Sequence, residues 1–304
     1  MKRIAYYYDP EVSLYKYSDG HPMRPLRIKM TNSLLSAYNL LDKLLPLYPK
    51  KSKDINVDLT VFHADEYVDF LKTVTTENYK YFADQLMRFN IGPDCPIFDG
   101  IYDYCKVYTC GTLACAGSLM NGYADIAINW SGGLHHAKRC EASGFCYAND
   151  IVIGILELLK LYSRVLYVDI DIHHGDGVEE AFYTSNRVIT CSFHKYGNFF
   201  PGTGALDDIG IGRGKYYSVN VPLREGMDDE TLATIFKPVI NSIMENYKPK
   251  VLVVQCGADS IAGDRLGNFN LSVEGHSACV QYLKGFQLPM VILGEGGYTL
   301  KDGC

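Results

Sequence analysis

The sequence contains no Cys-x-x-Cys pair, although ten of its 304 residues are cysteines. A thiolate metal site is therefore not expected. Cysteines that lie inside apolar runs, such as Cys191 and Cys256, are predicted to be reduced core residues of an intracellular protein. An excess of basic residues is also missing, since 29 Lys and Arg face 35 Asp and Glu for a formal charge of -6. This balance argues against a protein that grips nucleic acid over its whole surface.

Long apolar segments are missing as well. The longest helical apolar segment, residues 151–162, contains Glu157 and Lys160 and is too short to span a bilayer. The first residues lead directly into an apolar run at 3–8, which indicates a strand rather than a signal peptide. No linker, low-complexity segment or internal repeat divides the chain, and 47% hydrophobic residues suffice for a large core. We therefore expect a soluble protein that stays inside the cell.

Apolar runs typical of strands alternate with helical patterns. The strands are predicted at 3–8, 124–130, 164–171, 187–193, 250–256 and 289–294. Helices are predicted at 31–45, after a cap at Asn149 and Asp150, and at 228–247, where Pro238 indicates a kink or break. This alternation predicts a parallel α/β sheet covered by helices. Ligands of such sheets bind beyond the carboxyl ends of the strands.

Four of the predicted strands end in glycine together with a titratable residue. The sequences at these ends are SGGLHH at 131–136, DIDIHHGDG at 169–177, GADS at 257–260 and GEGGY at 294–298. Glycine allows the backbone to approach a ligand closely or to adopt a positive φ. One such ending would be unremarkable, but four at the same edge of a sheet predict a shared site.

Asp171 and His173 follow the most apolar of these strands. On an extended chain, residues two apart project from the same face, so a carboxylate and an imidazole would point together toward a divalent metal. An Asp-x-His pair alone is more often a hydrogen bond that closes a loop. Asp259, at the end of another strand, is the natural third ligand. Three protein ligands with an open fourth position describe a catalytic zinc.

The remaining strand-end residues supply acid, base and hydrogen-bond donor. His135 and His136 could divide proton transfer between them, with Asp169 and Asp176 fixing their tautomers. Tyr298 could donate a hydrogen bond to an oxyanion forming on a substrate carbonyl. Together these groups predict hydrolysis of an amide by metal-activated water.

Four other histidines are predicted to be structural. His174 already has a neighbour that points to the metal, and His194 and His276 are expected to form local hydrogen bonds. His63 is expected at the surface or at the start of a helix.

Several longer motifs carry a family resemblance. They are GGLHHA at 132–137, EASGFCY at 141–147, YVDIDIHHGDG at 167–177, FFPGTG at 199–204 and QCGADS at 255–260. With these motifs the chain resembles the class I zinc-dependent histone deacetylases of the arginase-deacetylase fold, almost from end to end. The resemblance implies a single three-layer domain over 1–304, with an open, mostly parallel sheet of eight strands between helices. Because relatives continue through further helices, it also implies a domain truncated at its C-terminus.

The resemblance implies removal of acetyl groups from lysine on histone tails, in transcriptional repression. Asp171, His173 and Asp259 would bind zinc, and His135, His136, Asp169, Asp176 and Tyr298 would form the catalytic machinery. The residues that would line a narrow acetyl-lysine tunnel and hold the peptide at its rim are Asp94, Gly144, Phe145, Phe200 and Leu266.

Ions and partners are implied by the same resemblance. A potassium ion would bind near Asp169, Asp171, His173, Ser192 and Phe193, and a second near Phe182, Ser185, Val188 and Tyr217. An inositol phosphate that bridges corepressor subunits would meet Lys16, Gly20, Arg24, Arg265 and Lys301. Corepressor subunits and acetylated histone tails are the expected partners, without sequence-specific nucleic-acid binding or a membrane. The nucleus is the expected location, with a possible cytoplasmic pool.

One departure from the family pattern leaves alternatives open. Glu295 replaces the second of four glycines before Tyr298, where a bulky anion could alter the turn or repel developing negative charge. A non-catalytic corepressor scaffold, altered at Glu295 and truncated at the C-terminus, is therefore retained as an alternative. A separate alternative is an acetylpolyamine deacetylase, against which the peptide-holding Asp94 counts. Two-manganese ureohydrolases share the fold but need further Asp and His ligands, and residues 135–138 do not supply their pattern.

Overall fold

The computed structural model describes residues 2–49 and 56–300, which form one open sheet with helices on both sides. All eight strands of the described chain pair in parallel, in the order β2-β1-β3-β8-β7-β4-β5-β6. Their bounds are β1 Ile4–Tyr7, β2 Leu45–Leu47, β3 Ile126–Asn129, β4 Val165–Asp169, β5 Val188–Lys195, β6 Ser218–Leu223, β7 Val251–Gln255 and β8 Met290–Leu293. The predicted α/β sheet is confirmed.

Eight α-helices connect and cover these strands within the described ranges. They are α1 Leu26–Ala37, α2 Asp65–Thr73, α3 Ala83–Arg88, α4 Ile101–Met120, α5 Asp150–Leu158, α6 Asp176–Phe182, α7 Asp229–Tyr247 and α8 Val273–Lys284. Short 3-10 helices occur at Pro10–Leu14, Leu41–Lys43, Leu59–Val61, Tyr79–Phe82, Gly212–Gly214 and Ala258–Ser260. No helix in the described part of the chain is both long and apolar enough to cross a membrane.

The central strands are buried on both faces because successive side chains face opposite helical layers. In β4, Val165 and Tyr167 pack in the cluster that contains residues of α4, α5 and α6. Leu166 and Val168 of the same strand pack in the cluster formed with α7 and α8. A strand covered on both faces needs apolar residues at every position, which explains the unbroken apolar runs in the sequence.

The six predicted strands are confirmed, and the two that were missed lie at the edges of the sheet. The strand β2 has only three residues, including Pro46, and β6 alternates polar and apolar residues and includes Pro222. An edge strand has an unpaired side and tolerates proline, so it lacks the continuous apolar run that marks a central strand.

The predicted helix at 31–45 is wrong in its bounds. The helix α1 begins at Leu26 and ends at Ala37, two residues before Asn39 takes a left-handed backbone with φ of 54°. The rest of the predicted segment forms a 3-10 turn and the beginning of β2.

Pro238 does not break α7, which runs from Asp229 to Tyr247. The same helix buries a stripe of apolar side chains against the sheet, at Leu232, Phe236, Ile240, Ile243 and Tyr247. Packing of this stripe offsets the hydrogen bond that proline cannot donate. Asn149 caps α5 as predicted, since its side chain accepts a hydrogen bond from the Val152 amide.

Candidate active site

The four strands that end in glycine and titratable residues are neighbours in the sheet. Their order is β3-β8-β7-β4, and all four run in the same direction. Their carboxyl ends therefore meet at the centre of one edge, as the sequence predicted. Residues from four distant segments of the chain converge there.

Asp171, His173 and Asp259 come together with their ligand atoms within 4.8 Å of one another. The Nδ1 atom of His173 lies 3.1 Å from an Asp171 oxygen and 3.0 Å from an Asp259 oxygen. Ligands of a tetrahedral zinc lie roughly 3.3–3.5 Å apart, so one imidazole and two carboxylates at this spacing fit a divalent ion. Burial and the neighbouring Asp171 carboxylate raise the pKa of Asp259, and a cation held between the two carboxylates would offset their repulsion.

The local backbone differs from the extended chain assumed for Asp171 and His173. The strand β4 ends at Asp169, and residues 171–173 form a bend. Within this bend, the Asp171 amide donates to Asp169 and the His173 amide donates to Asp171. Two successive turns closed by aspartate side chains, rather than strand geometry, bring the ligands to one side. The predicted proximity is confirmed, but its stated cause was wrong.

His135 and His136 are buried side by side, with ring centroids 3.9 Å apart. Each Nδ1 atom is 2.7 Å from a carboxylate, Asp169 for His135 and Asp176 for His136. Burial by itself would lower the pKa of both imidazoles. For His135 the carboxylates of Asp169 and Asp171 outweigh burial and raise the pKa to about 10. For His136, burial and the neighbouring His135 prevail, and its pKa falls to about 3.

Because their pKa values differ, the two imidazoles have different protonation states near neutral pH. His136 is neutral and can accept a proton, whereas His135 is a hydrogen-bonded cation. Lys138 also pairs with Asp176 at 2.6 Å. Burial would raise the pKa of Asp176, but His136 and Lys138 outweigh it and lower the pKa. Asp176 thus remains an anion that can orient His136.

Three buried residues that the sequence did not single out for the site hold the loop containing both histidines. Asp150 accepts hydrogen bonds from the amides of Gly133 and Leu134. Asn149 donates to the carbonyls of His135 and Ala137, and its own amide donates to Nε2 of His63. His63 was expected at the surface or at the start of a helix. It lies just before α2, which begins at Asp65, but it is not at the surface, because only 2% of it is exposed.

The other structural histidines behave as predicted. His174 contacts Thr203 and Glu179. His194 contacts Ser192 and the Gly204 carbonyl, and His276 contacts the Gly257 carbonyl. The nine cysteines inside the described ranges are free, and Cys191 and Cys256 are buried, as expected for reduced core residues.

Tyr298 is held in place through its backbone. The side chain of Asp264 accepts hydrogen bonds from the amides of Tyr298 and Thr299, and also from Leu266 and Gly267. Burial and nearby carboxylates raise the pKa of the Tyr298 phenol well above its usual value, so the phenol remains a hydrogen-bond donor. Asp264 was missed because its function is to fix two loops, and no spacing in the sequence indicates that contact.

One cavity of about 590 Å³ opens onto these groups. Its lining includes every residue predicted for the tunnel and its rim: Asp94, Gly144, Phe145, Phe200 and Leu266. His136, His173 and Tyr298 also line it. Phe199, which was not predicted, stacks on the His173 ring with centroids 5.0 Å apart and an angle of 6° between the planes. A slot with aromatic walls therefore leads to the metal-ligand set.

Glu295 keeps the turn that glycine would form. Its φ is 94°, a left-handed value that side chains rarely adopt, so the turn is retained with backbone strain. Its side chain lines a second cavity, bordered by α1, α8 and the sheet, and is absent from the lining of the first. Burial raises the pKa of Glu295 to about 8, although Arg27 and His135 act to lower it.

The residues predicted for potassium lie in two groups. Asp169 and Ser192 are paired across β4 and β5, with Asp171, His173 and Phe193 close along the chain. The second group lies where α6 ends and β5 begins, and the Ser185 amide donates to the Phe182 carbonyl there. Its remaining members are Val188, the first residue of β5, and Tyr217, whose carbonyl accepts from Thr190.

The residues predicted for inositol phosphate come from three segments. Lys16, Gly20 and Arg24 lie between the first 3-10 helix and α1, and Arg265 follows β7. Lys301 lies outside the described residues. The Lys16 ammonium is paired with Asp19.

Comparison with known proteins identifies relatives along nearly the whole chain. Residues 21–303 match the histone deacetylase domain family. Histone deacetylase 19 of Arabidopsis thaliana is 56% identical over 301 residues, which are 99% of this chain and 60% of that protein. Histone deacetylase RPD3 of Saccharomyces cerevisiae is 56% identical, with 99% and 69% covered. Histone deacetylase 1 of Homo sapiens is 55% identical, with 99% and 62% covered.

The chain thus spans about three fifths of the length of several of the curated relatives that it matches. These relatives do not favour the acetylpolyamine deacetylase or the non-catalytic scaffold that the sequence left open. The resemblance to class I enzymes and the eight-stranded parallel sheet are both confirmed. The chain belongs to the histone deacetylase family.

Proposed function

We propose that this chain hydrolyses the amide of acetyl-lysine on histone tails, and on other protein tails, with zinc held by Asp171, His173 and Asp259. The observation that carries the proposal is one cavity that joins His173, His136 and Tyr298 to an aromatic slot. A metal ligand, a base and a phenol all border the space that an acetyl group would enter. We also propose that residues 1–304 act as a single catalytic domain.

Zinc, when bound, would acidify a water and polarise the acetyl carbonyl. His136, neutral because burial and His135 lower its pKa, accepts the proton of the attacking water. Its Nδ1 atom is fixed by Asp176 at 2.7 Å, so Nε2 is the atom left to work on the substrate. The same imidazole can then deliver the proton to the departing lysine nitrogen.

His135 and Tyr298 stabilise charge rather than exchange a proton. His135, paired with Asp169, holds positive charge beside the carboxylates of the metal-ligand set. Tyr298 donates a hydrogen bond to the carbonyl oxygen as negative charge develops on it. Asp264 keeps the phenol in position by accepting hydrogen bonds from the Tyr298 and Thr299 amides.

The slot accounts for selection of an acylated lysine. Phe145 and Phe200 present apolar walls to the four methylenes of the lysine stem, and Gly144 leaves room between them. A Cβ at Gly144 would lie 2.4 Å from the His136 ring and 2.8 Å from Phe200. Neutral amides enter such a slot at lower desolvation cost than a charged ammonium. Asp94 and Leu266, at the rim, would hold the peptide backbone.

Finer features of the family are also proposed for this chain. Two potassium ions would bind at the groups that contain Ser192 and Ser185, and Lys16, Gly20, Arg24, Arg265 and Lys301 would meet an inositol phosphate. Corepressor subunits would be the partners, and the nucleus, with a cytoplasmic pool, the location. The human and yeast relatives are named histone deacetylases, which supports histone substrates in the nucleus.

The proposal is tested by acetate release from two substrates, an acetyl-lysine histone peptide and N-acetylputrescine. We expect turnover of the peptide to dominate, because the Asp94 rim can engage a peptide backbone that the polyamine lacks. Asp94→Asn should reduce peptide turnover and leave polyamine turnover unchanged. Preference for the polyamine, or no turnover of either substrate by the zinc-loaded chain, would overturn the proposal.

A further inference from the structure

Glu295 is a buried carboxylate without a hydrogen-bonding partner. Only 5% of the residue is exposed, and neither carboxylate oxygen has a hydrogen-bond partner within the described ranges. Arg27 is close enough to lower its pKa without hydrogen-bonding to it. A buried carboxylate in this condition has given up its hydration without gaining a hydrogen bond from the described residues, which is unfavourable.

The side chain is aimed at two other ligand atoms. His135, Asp171 and Glu295 each offer one atom, and these three atoms lie within 4.8 Å of one another. Nδ1 of His135 is already bonded to Asp169, so its free nitrogen is Nε2, which lies 4.0 Å from an Asp171 oxygen. All three residues are buried. They form a pocket of nitrogen and oxygen donors beside the predicted zinc ligands, with Asp171 common to both sets.

We propose that His135, Asp171 and Glu295 form a second divalent-cation site, in which Glu295 is the ligand peculiar to this chain's turn. A cation would supply a partner for the Glu295 oxygen that lies near His135 and Asp171. Asp171 is the residue common to both sets, since its Oδ1 atom lies 3.1 Å from Nδ1 of His173 and 4.0 Å from Nε2 of His135. The site depends on a carboxylate at position 295, so a glycine there would abolish it.

The donors indicate the class of ion. An imidazole nitrogen with two carboxylate oxygens suits zinc, cobalt or manganese, whereas magnesium and calcium favour oxygen ligands alone. Because His135 is a cation in the metal-free protein, an ion on Nε2 would displace its proton and take the place of the positive charge that His135 supplies in the proposed hydrolysis.

The test is the number of zinc ions bound per chain, measured by equilibrium dialysis at rising zinc concentration and elemental analysis of the metal-stripped protein. Wild type is expected to bind one ion more than Glu295→Gly at saturation. Glycine relieves the positive φ, so this variant is expected to fold. Glu295→Gln is the matched control, because it keeps the volume and the backbone strain but removes the anionic ligand, and it should also lose the extra ion.

Asp259→Asn separates this proposal from the proposed function. It weakens the set of Asp171, His173 and Asp259 but leaves the three ligands of the second site intact, so it should retain the ion that depends on Glu295. Cobalt absorption spectra supply an independent readout, since wild type should show a second set of bands that both Glu295 variants lack. Equal zinc counts in wild type and both Glu295 variants would overturn the second site, whether or not the chain deacetylates peptides.

Discussion

The loops after β3 and β4 and the turn after β8 reach the same edge of the sheet. They differ in whether their buried titratable side chains are hydrogen-bonded. In the loops, His135, His136, Asp169 and Asp176 are each hydrogen-bonded to a named partner. In the turn, Glu295 is buried with both oxygens unbonded among the described residues, on a backbone with positive φ. The buried hydrogen bonds of the loops fix the geometry of the site. The buried, unbonded Glu295 instead destabilises the folded state, and a bound ligand or a substitution would reduce that destabilisation.

This contrast explains how one substitution can leave the surrounding site intact. Glu295 occupies the backbone region that glycine would take, and Tyr298 still lies in the cavity beside His136. Asp264 accepts a hydrogen bond from the Tyr298 amide, so Tyr298 is held by a loop other than the turn that contains residue 295. We expect substitutions in the hydrogen-bonded loops to lower activity or stability strongly. Substitutions that relieve the strained turn should raise stability by a smaller amount.

The largest effect is expected from His136→Ala. Removal of the neutral imidazole eliminates the proton acceptor, and kcat for an acetyl-lysine peptide should fall by about 100- to 10,000-fold. Steady-state kinetics on the zinc-loaded protein would measure the loss. Zinc content should be unchanged, because His136 is not a ligand. A wild-type rate in a variant with wild-type zinc content would show that another group is the base.

Tyr298→Phe should have the next largest effect. Loss of one hydrogen-bond donor to a developing oxyanion typically lowers kcat by about 100- to 1,000-fold. Folding should change little, because the hydrogen bond from the Tyr298 backbone amide to Asp264 is kept. Tyr216→Phe, at a residue that is 69% exposed, is the matched control and should have no effect. A loss confined to KM would contradict a role in the transition state.

The hydrogen-bonded loops should also make stability depend on pH through His63. Burial lowers its pKa from 6.5 to about 4, and its unprotonated Nε2 accepts a hydrogen bond from the backbone amide of Asn149. The unfolded chain therefore takes up the proton first, and unfolding becomes easier as pH falls from 6.5 through 4. This shift corresponds to about 3 kcal/mol in the free energy of unfolding.

Denaturant unfolding of wild type and His63→Gln at several pH values measures this contribution. Glutamine can accept the same hydrogen bond but does not titrate, so the stability difference between the proteins should shrink as pH falls. A constant difference from pH 7 to pH 4 would remove His63 as the cause.

Glu295→Gly should produce the smallest change and the opposite sign. It relieves the positive φ and removes the unbonded carboxylate, so in the absence of metal the free energy of unfolding should rise by about 1–3 kcal/mol. Glu295→Gln keeps the strained backbone, so its free energy of unfolding should rise by less than that of Glu295→Gly. A destabilised glycine variant would mean that the side chain contributes packing that outweighs its strain.

The sequence predicted the central strands and the meeting of their polar ends because both depend on local pattern. A strand covered on two faces must be apolar throughout, as Val165–Asp169 is until its last residue. Edge strands and the ends of helices were harder to predict from the sequence. The bounds of α1 depend on the positive φ at Asn39, and β2 and β6 lack a buried run on both sides.

For the site, the sequence identified the side chains that do chemistry but not those that hold them. Asp150, Asn149 and His63 fix the histidine loop through contacts between residues up to 86 positions apart. Asp264 fixes Tyr298 across 34 positions in the same way. Such pairings exist only after the chain folds. The burial of Glu295 and its approach to His135 were equally invisible before folding.

The most direct measurement is acetate release from an acetyl-lysine peptide before metal removal, after removal by a chelator, and after stepwise return of zinc. Activity should disappear with the metal and return as the set of Asp171, His173 and Asp259 fills, whereas Asp259→Asn should not recover at the same zinc concentration. Turnover that persists in the metal-free protein, or an Asp259→Asn variant as active as wild type, would contradict metal-dependent hydrolysis at these three residues.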